Sequence, residues 1–581
     1  MSTAPQLAQS RDERSVAEAR ELVERAYAAF QQFQNFSQEQ VDRIIDAMAS
    51  AATSAAEKVA KLAVEETTYG IVADKIQKNL FASQRVYEAT RGLKTAGIVR
   101  EDRERGIVEV AVPVGVVAAI LPSTNPTSTA IYKILIALKG RNTIVISPHP
   151  TAFRCTCEIT SIMRAAAVQA GAPADVICCF SSPTLAGTQE LMKHRRTSVI
   201  LATGGIGMVR AAYSSGKPAY GVGPGNVPAF IERSADIKKA VADVIFGKTF
   251  DNGTICSSEQ AIVAEETVRE QVLAELRANG AYFLTSGESR KLGEQMVDLE
   301  AHTINPKFVG KSARQVAQLA GLQVPESTRV LVAQLDGVGR EYPLSAEKLS
   351  PVLALYFARD RSAALDRCFE LLRFGGLGHT CVIHSGDDAA IREYGRRMPA
   401  GRIVVNSPAP QGSIGATTNL FPAMTLGCGA VGGNITSDNI SPMHLVNLRR
   451  IAYEARPASA QKAIQTEAVS ATPEDHQCAC QSRGEEPFVT SALPDRVAVT
   501  RAIERFLSRK TSEQPPPAAV PPQPRAPDPP RLKARPVEFV SEAEIRAALK
   551  RKEKIVIGAK TIITPAARDL AAQFDVFTIA E

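Results

Sequence analysis

From Val114 to Ala202 the chain alternates short Val- and Ile-rich runs with helix-length segments. The strand-like runs are Val114–Leu121, Thr143–Ser147, Val176–Phe180 and Ser198–Ala202, and the helical ones cover 127–139 and 152–170. Parallel neighbours need a long crossover, usually a helix, so the alternation predicts a parallel sheet with helices on both faces. Upstream, Val16, Ala19, Val23, Ala26 and Phe30 recur at three- and four-residue spacing. Val41, Ile44, Ile45 and Met48 repeat the pattern, so residues 11–66 are expected to be helical. The apolar run Ile107–Pro122, broken by Glu109, Pro113 and Gly115, reads as buried strands and not as a membrane span. A second α/β region is expected over 240–425.

A chain of 581 residues should hold several folding units. The net charge of +7 is dispersed, with no long basic block, so nucleic acid is not an expected partner. Ten irregularly placed cysteines fit a reducing cytoplasm better than a disulfide framework. Met1–Glu21 has no apolar core of a signal peptide.

One cysteine has a setting suited to chemistry. Cys256 sits in the polar loop Phe250–Gln260, between an amphipathic run (Ile237–Phe246) and an apolar one (Ala261–Ala264). A thiolate attacks carbonyl carbon well, and backbone N–H groups and a helix terminus facing it would lower its pKa. Leu121-Pro122-Ser123-Thr124-Asn125-Pro126-Thr127 closes a buried strand and opens a helix. Thr203-Gly204-Gly205 also ends a strand before a helix, where small residues let a pyrophosphate approach free N–H groups. Gly221-Val222-Gly223-Pro224-Gly225-Asn226 follows.

These segments, in this order, resemble the CoA-acylating branch of the aldehyde dehydrogenase superfamily over roughly residues 11–455. The resemblance implies an α/β fold with a Rossmann-like cofactor domain, a catalytic α/β domain and a small oligomerisation element. It implies NAD, or alternatively NADP, and coenzyme A as co-substrate. Cys256 would be the nucleophile, with the Asn125 amide and the Cys256 N–H forming the oxyanion hole. Ser123, Thr124, Ser147, His149, Thr203, Gly204, Gly205 and Gly223 would lie along the dinucleotide. Ser147-Pro148-His149-Pro150 lacks the lysine by which hydrolytic members hold the adenosine ribose, which leaves NAD against NADP open. Glu347, in Glu347-Lys348-Leu349-Ser350-Pro351-Val352, matches the glutamate that binds the nicotinamide ribose. His379 has three readings: proton acceptor for the CoA thiol, phosphate binder, or structural residue of a glycine-rich turn. Phe421–Ala430 resembles an element expected to shape the substrate tunnel or an oligomer contact.

Hydrolytic members carry an activating glutamate where this chain reads Val222-Gly223-Pro224-Gly225, and no carboxylate occurs from Gly216 to Ile231. Water attack on an enzyme thioester should then be slow, and a thiol needs less help. The expected reaction is oxidation of acetaldehyde or propionaldehyde to acyl-CoA. The alternatives are release of the free acid, a sulfonated aldehyde, or a non-catalytic scaffold.

Five segments are expected: 1–240 (N-terminal helices and dinucleotide domain), 241–425 (thiol domain), 426–456 (oligomerisation), 457–536 (linker) and 537–581 (small docking module). The linker carries an amphipathic helix at 495–510, with Val499, Ile503, Phe506 and Leu507 as its stripe, and nine prolines from Pro515 to Pro530. In the last segment Ser541 and Glu544 should cap a helix, followed by a strand at Lys554–Ile557, a turn at Gly558, a helix from Thr564-Pro565 and a strand at Val576–Ile579. Such a tail resembles encapsulation peptides of bacterial microcompartment cargo, and it could equally bind a partner enzyme. His476, Cys478 and Cys480 are poorly spaced for zinc. The resemblance implies a homodimer or dimer of dimers and no membrane association.

Overall fold

The structure, a computed structural model, describes residues 10–298, 303–456 and most of 537–579. The chain divides into two compact units, Met1–Ala471 and Thr472–Glu581.

The first unit opens with helices Arg11–Phe33 and Gln38–Thr67. Each begins in a capping box, Ser10 with Glu13 and Ser37 with Gln40, which satisfies two orphan N–H groups at each start. Strands β1 (Gly97–Asp102) and β2 (Ile107–Pro113) pair antiparallel. Five strands follow: β3 (Val116–Ile120), β4 (Thr143–Ser147), β5 (Ile177–Cys179), β6 (Thr197–Thr203) and β7 (Ala219–Val222). They form one parallel sheet in the order β5-β4-β3-β6-β7. Val117 and Ala119 enter the core that holds Ile44, Met48 and Ile134, whereas Val116, Ala118 and Ile120 pack with Ala19, Val23 and Ala26 on the other face. With both faces covered, every residue of β3 and β4 is buried, as parallel strands require.

The run Ile107–Pro122 corrects the sequence expectation. Only its second half is a buried strand; β2 is mostly half-buried and joins a separate three-stranded sheet. Pro113 and Gly115 separate the two, and Gly115 takes a φ of +130° that a side chain rarely adopts.

The chain then enters a seven-stranded parallel sheet through β8 (Val227–Ile231) and β9 (Glu259–Glu265). β10 (Ala281–Leu284) leads to a small antiparallel pair, β11 (Val297–Asp298) and β12 (Thr303–Ile304). β13 (Val330–Gln334), β14 (Val352–Ala358), β15 (Gly378–His384) and β16 (Ala400–Val405) complete the order β10-β13-β14-β9-β8-β15-β16. Finally β17 (Val446–Ala452) returns to pair antiparallel with β2.

The second unit has strands β18 (Val537–Val540), β19 (Ile555–Ile563) and β20 (Phe577–Ile579), parallel in that order, and a helix at Glu542–Arg551. The Ser541 N–H and hydroxyl both donate to Glu544, at 2.7 and 3.0 Å. The turn expected at Gly558 is not there. β19 runs through it, and the register jumps from Val537↔Ile557 to Phe539↔Ile562, so the extra residues are taken up inside the strand. The amphipathic stretch 495–510, the proline-rich tether, the helix start at Pro565 and the His476–Cys480 cluster lie outside the described residues. Among the described residues no helix is long and apolar enough to cross a membrane.

Candidate active site

The order of the five-stranded sheet gathers the expected cofactor residues at one edge. From β3 the chain moves outward to β4 and β5, then returns to β6 beside β3. That reversal opens a crevice at the carboxyl ends of the strands, where dinucleotides bind in such sheets. Ser123 and Thr124 follow β3, Ser147 ends β4, Thr203 ends β6, and Gly223 follows β7. A Cβ on Gly205 or Gly223 would meet nothing within 4 Å. The Thr203 hydroxyl is buried with no partner among the described residues. Gly205 starts the helix Ile206–Tyr213 with no side-chain cap, so its first N–H groups stay free. These features fit a pyrophosphate. Ser147 is less available, because its buried hydroxyl pairs with that of Thr188 at 2.8 Å. His149 is exposed and bonds locally, its Nδ1 lying 2.8 Å from the Thr151 hydroxyl.

The seven-stranded sheet contributes its amino ends. Cys256 precedes β9, Glu347 precedes β14, Gly225 precedes β8 and His379 lies at the start of β15, so four adjacent strands bring them to one edge.

A buried ion cluster joins the two edges. Asp251 and Asn252 both have positive φ (+49° and +53°), followed by Gly253 at +73°, so the loop before Cys256 holds three successive left-handed residues. The Asp251 carboxylate pays for this conformation with its bonds: it accepts from the Ile71 N–H (2.7 Å), the Thr254 hydroxyl (2.7 Å), Lys75 (2.9 Å) and Lys78. Burial alone would push its pKa up, yet the charges of Lys78 and Lys75 hold it below the usual carboxylate value. Lys78 is pulled down to about 8 by burial, against the attraction of Asp251. Lys78 also donates to the Asn125 side-chain oxygen at 2.6 Å. An ammonium only donates, so the Asn125 oxygen must face it, and the amide N–H then donates to the Thr254 carbonyl at 2.9 Å. The structure thus brings Asn125 to within two residues of Cys256 along the loop.

Around Cys256 the electrostatics differ from expectation. The thiol is pushed up to about 12, first by burial and then by the facing charges of Glu347 and Cys428, and Arg402 opposes them. The loop's backbone N–H groups do not lower it overall, because desolvation outweighs them. Glu347 accepts from the Gly225 N–H at 3.1 Å and is itself raised to about 7 by burial. A carboxylate therefore reaches the stretch 216–231 from elsewhere in the chain. His379 is buried; its Nδ1 lies 2.9 Å from the Thr380 hydroxyl, and its Nε2 has no partner among the described residues. Burial and the nearby Arg402 charge lower it to about 3, so it is uncharged at neutral pH.

Sequence reasoning missed Lys75, Lys78 and Arg402. Two lysines three apart on a helix carry no signal of burial, and their partner Asp251 is 173 residues or more away. Arg402 is 3% exposed and donates to the carbonyls of His379 and Gly427, each at 2.6 Å. Cys428, in the segment expected to shape the tunnel or an oligomer contact, is buried, and burial raises its thiol. No cluster of three His, Cys, Asp or Glu residues fit to hold a metal occurs among the described residues.

Two parallel sheets, with a cysteine loop at the amino edge of one and a crevice at the carboxyl edge of the other, agree with a family match. The chain belongs to the aldehyde dehydrogenase family, whose profile matches residues 5–321. It is 45% identical over 446 residues to the bifunctional aldehyde-alcohol dehydrogenase AdhE of Escherichia coli K12; the match covers 76% of this chain and 50% of that protein, so the chain spans about half the length of that relative. It is similar to the crystal structure of an acetylating aldehyde dehydrogenase from Geobacillus thermoglucosidasius, at 51% identity and a TM-score of 0.76, covering 78% of this chain and 99% of that one. A propionaldehyde dehydrogenase from the Clostridium phytofermentans fucose utilisation bacterial microcompartment is similar at 29% identity and a TM-score of 0.68, covering 76% and 98%.

Proposed function

We propose that this chain oxidises a short aliphatic aldehyde, acetaldehyde or propionaldehyde, to its acyl-CoA with reduction of NAD or NADP. The observation that carries the reading is the Asn125 amide held against the cysteine loop by Lys78 on one side and the Thr254 carbonyl on the other. Cys256 attacks the aldehyde carbon, and the Asn125 amide with the Cys256 N–H receives the developing oxyanion. Thr203, Gly204, Gly205 and Gly223 hold the dinucleotide's phosphates, with Glu347 toward its nicotinamide ribose. When bound there, the nicotinamide supplies the hydride acceptor. Cys256 is left as a thioester, which the CoA thiol resolves. An uncharged His379 is no counter-ion for phosphate, so the position of its free Nε2 suits a hydrogen bond to a neutral group.

Further support comes from the similar acetylating and propionaldehyde enzymes. Ile98 and Ile451 on the β1-β2-β17 sheet, and Tyr453 just after β17, are each about half exposed or more, which suits a homodimer surface. The C-terminal region after residue 456 is proposed to direct the enzyme into a bacterial microcompartment. Unchanged co-purification with shells after deletion of 457–581 would remove that part.

The test is formation of reduced nicotinamide at 340 nm with each aldehyde, with and without CoA. Repeated turnover only with CoA supports the reading. Turnover without CoA and appearance of free acid would replace it with the hydrolytic one, for which Glu347 beside Gly225 is the available carboxylate. Sulfoacetaldehyde in the same assay tests the sulfonated alternative.

A further inference from the structure

Away from Cys256, the sulfurs of Cys157 and Cys179 lie 3.2 Å apart. Cys157 is on the helix Phe153–Gln169 and Cys179 is the last residue of the edge strand β5. Both are half-buried, whereas their neighbours Cys155 and Cys178 are buried. Those neighbours face other groups: Cys155 donates to the Ala152 carbonyl at 3.4 Å and Cys178 to the Asp175 carbonyl at 3.5 Å. A shift of about 1 Å brings the Cys157 and Cys179 sulfurs to disulfide bond length. The pair is thus placed for exchange and reachable by a small reagent.

We propose that Cys157 and Cys179 form a reversible intramolecular disulfide with a low-molecular-weight thiol's disulfide, such as glutathione disulfide, as oxidant. One thiolate attacks a sulfur of glutathione disulfide, and one glutathione thiolate leaves. The second cysteine, as thiolate, attacks the resulting mixed disulfide at the protein sulfur and expels the other glutathione. The protein dithiol loses two electrons and two protons, and glutathione disulfide becomes two glutathione thiols. The bond to Cys157, and then burial, raise the Cys179 thiol.

The position gives the bridge a consequence. Cys179 pairs with Ile146, and the Phe180 N–H donates to the Ile146 carbonyl at 3.1 Å, immediately before Ser147. A covalent link between helix and strand therefore ends one residue from the expected adenosine side of the dinucleotide crevice. This consequence, unlike the bridge itself, rests on the dinucleotide reading of that crevice. Oxidation is expected to weaken dinucleotide binding.

The experiment uses the full chain with Cys256→Ala, which removes the cysteine of the proposed active site as a competing partner. The protein is incubated over a range of glutathione disulfide to glutathione ratios, alkylated and mapped by non-reducing mass spectrometry. The expected result is a linked pair of peptides carrying Cys157 and Cys179, reversed by dithiothreitol, absent in Cys157→Ser and retained in Cys155→Ser. Glutathione adducts without the link, or a link that survives Cys157→Ser, overturns the site. Titration with NADH, followed by fluorescence, should give a Kd at least about threefold higher for the bridged form. An unchanged Kd with the bridge formed overturns its effect on the crevice and leaves the acylating reading untouched.

Discussion

The Glu347 carboxylate accepts a hydrogen bond from the Gly225 N–H at 3.1 Å, across 122 residues of sequence. Gly225 belongs to the segment that carries no acidic side chain of its own, between Gly216 and Ile231. The contact places a carboxylate, raised to about 7, where its charge opposes ionisation of Cys256. Cys256 and the carboxylate that opposes its ionisation come from the amino ends of neighbouring strands, β9 and β14. Loss or relocation of the Glu347 charge is therefore a means of activating the thiol.

Glu347→Gln should speed alkylation of Cys256. Above pH 7 the wild-type carboxylate is increasingly ionised, and its negative charge raises the thiol. Its removal lowers the thiol pKa, so more thiolate is present at a given pH. Iodoacetamide alkylation at pH 9 is expected to be several-fold faster in the variant. In the wild type the logarithm of the rate should climb by about one per pH unit from pH 7 to 10 with no plateau, since the thiol is pushed up to about 12. A wild-type plateau near pH 8 would show the thiol to be far more acidic than its surroundings imply.

Asn125→Ala should lower kcat by about 10²–10³ if its amide meets the developing oxyanion. The amide already bonds the Thr254 carbonyl, so a further expectation is slight loosening of the Cys256 loop. Steady-state kinetics with propionaldehyde and CoA would separate the two: an unchanged kcat with altered thermal stability leaves Asn125 a structural residue only.

Lys78→Met removes a buried cation from Asp251 and the anchor of the Asn125 oxygen. Breaking a buried pair by removing one partner costs about 3–5 kcal/mol, and Lys75 remains to offset part of it. Urea denaturation should show a loss toward the lower end of that range. A fall in kcat exceeding that of a distant variant of equal stability would assign Lys78 a positioning role for Asn125.

Gly225→Ala should abolish turnover while the fold persists. The added Cβ would run into the Cys256 carbonyl and stand 3.2 Å from His379 Cγ. Backbone on one side and a buried ring on the other leave little room to yield. Circular dichroism close to wild type with activity down at least about 100-fold is the expected pair of results. Near-normal activity would show that the cysteine loop is looser than its packing implies.

Local pattern was enough to make the framework legible. Continuous apolar runs at Val116–Ile120 and Thr143–Ser147 announce parallel strands because both faces are covered, and a three- and four-residue spacing announces the N-terminal helices. The same logic failed at Ile107–Pro113. Apart from Glu109 its residues are apolar like those of β3, but it lies between its hairpin neighbour β1 and β17, which reaches it across more than 300 residues, and its own composition does not reveal that edge sheet. Motif order was enough to nominate Cys256, Asn125, Glu347 and His379 and to suggest the family.

The sequence by itself therefore determined the alternating α/β framework and the residues that sit at its strand ends, since period, capping and glycine placement act within a few residues. Only the tertiary structure decided how those ends behave. Lys75 and Lys78 meet Asp251, Arg402 is enclosed by carbonyls, and Glu347 arrives at Gly225. Each of these depends on which strands become neighbours and on how much water their meeting excludes. Burial strengthens charge interactions and penalises charge itself, so the thiol expected to be acidic is pushed upward. That balance is a property of the assembled site and has no counterpart in any one stretch of the chain.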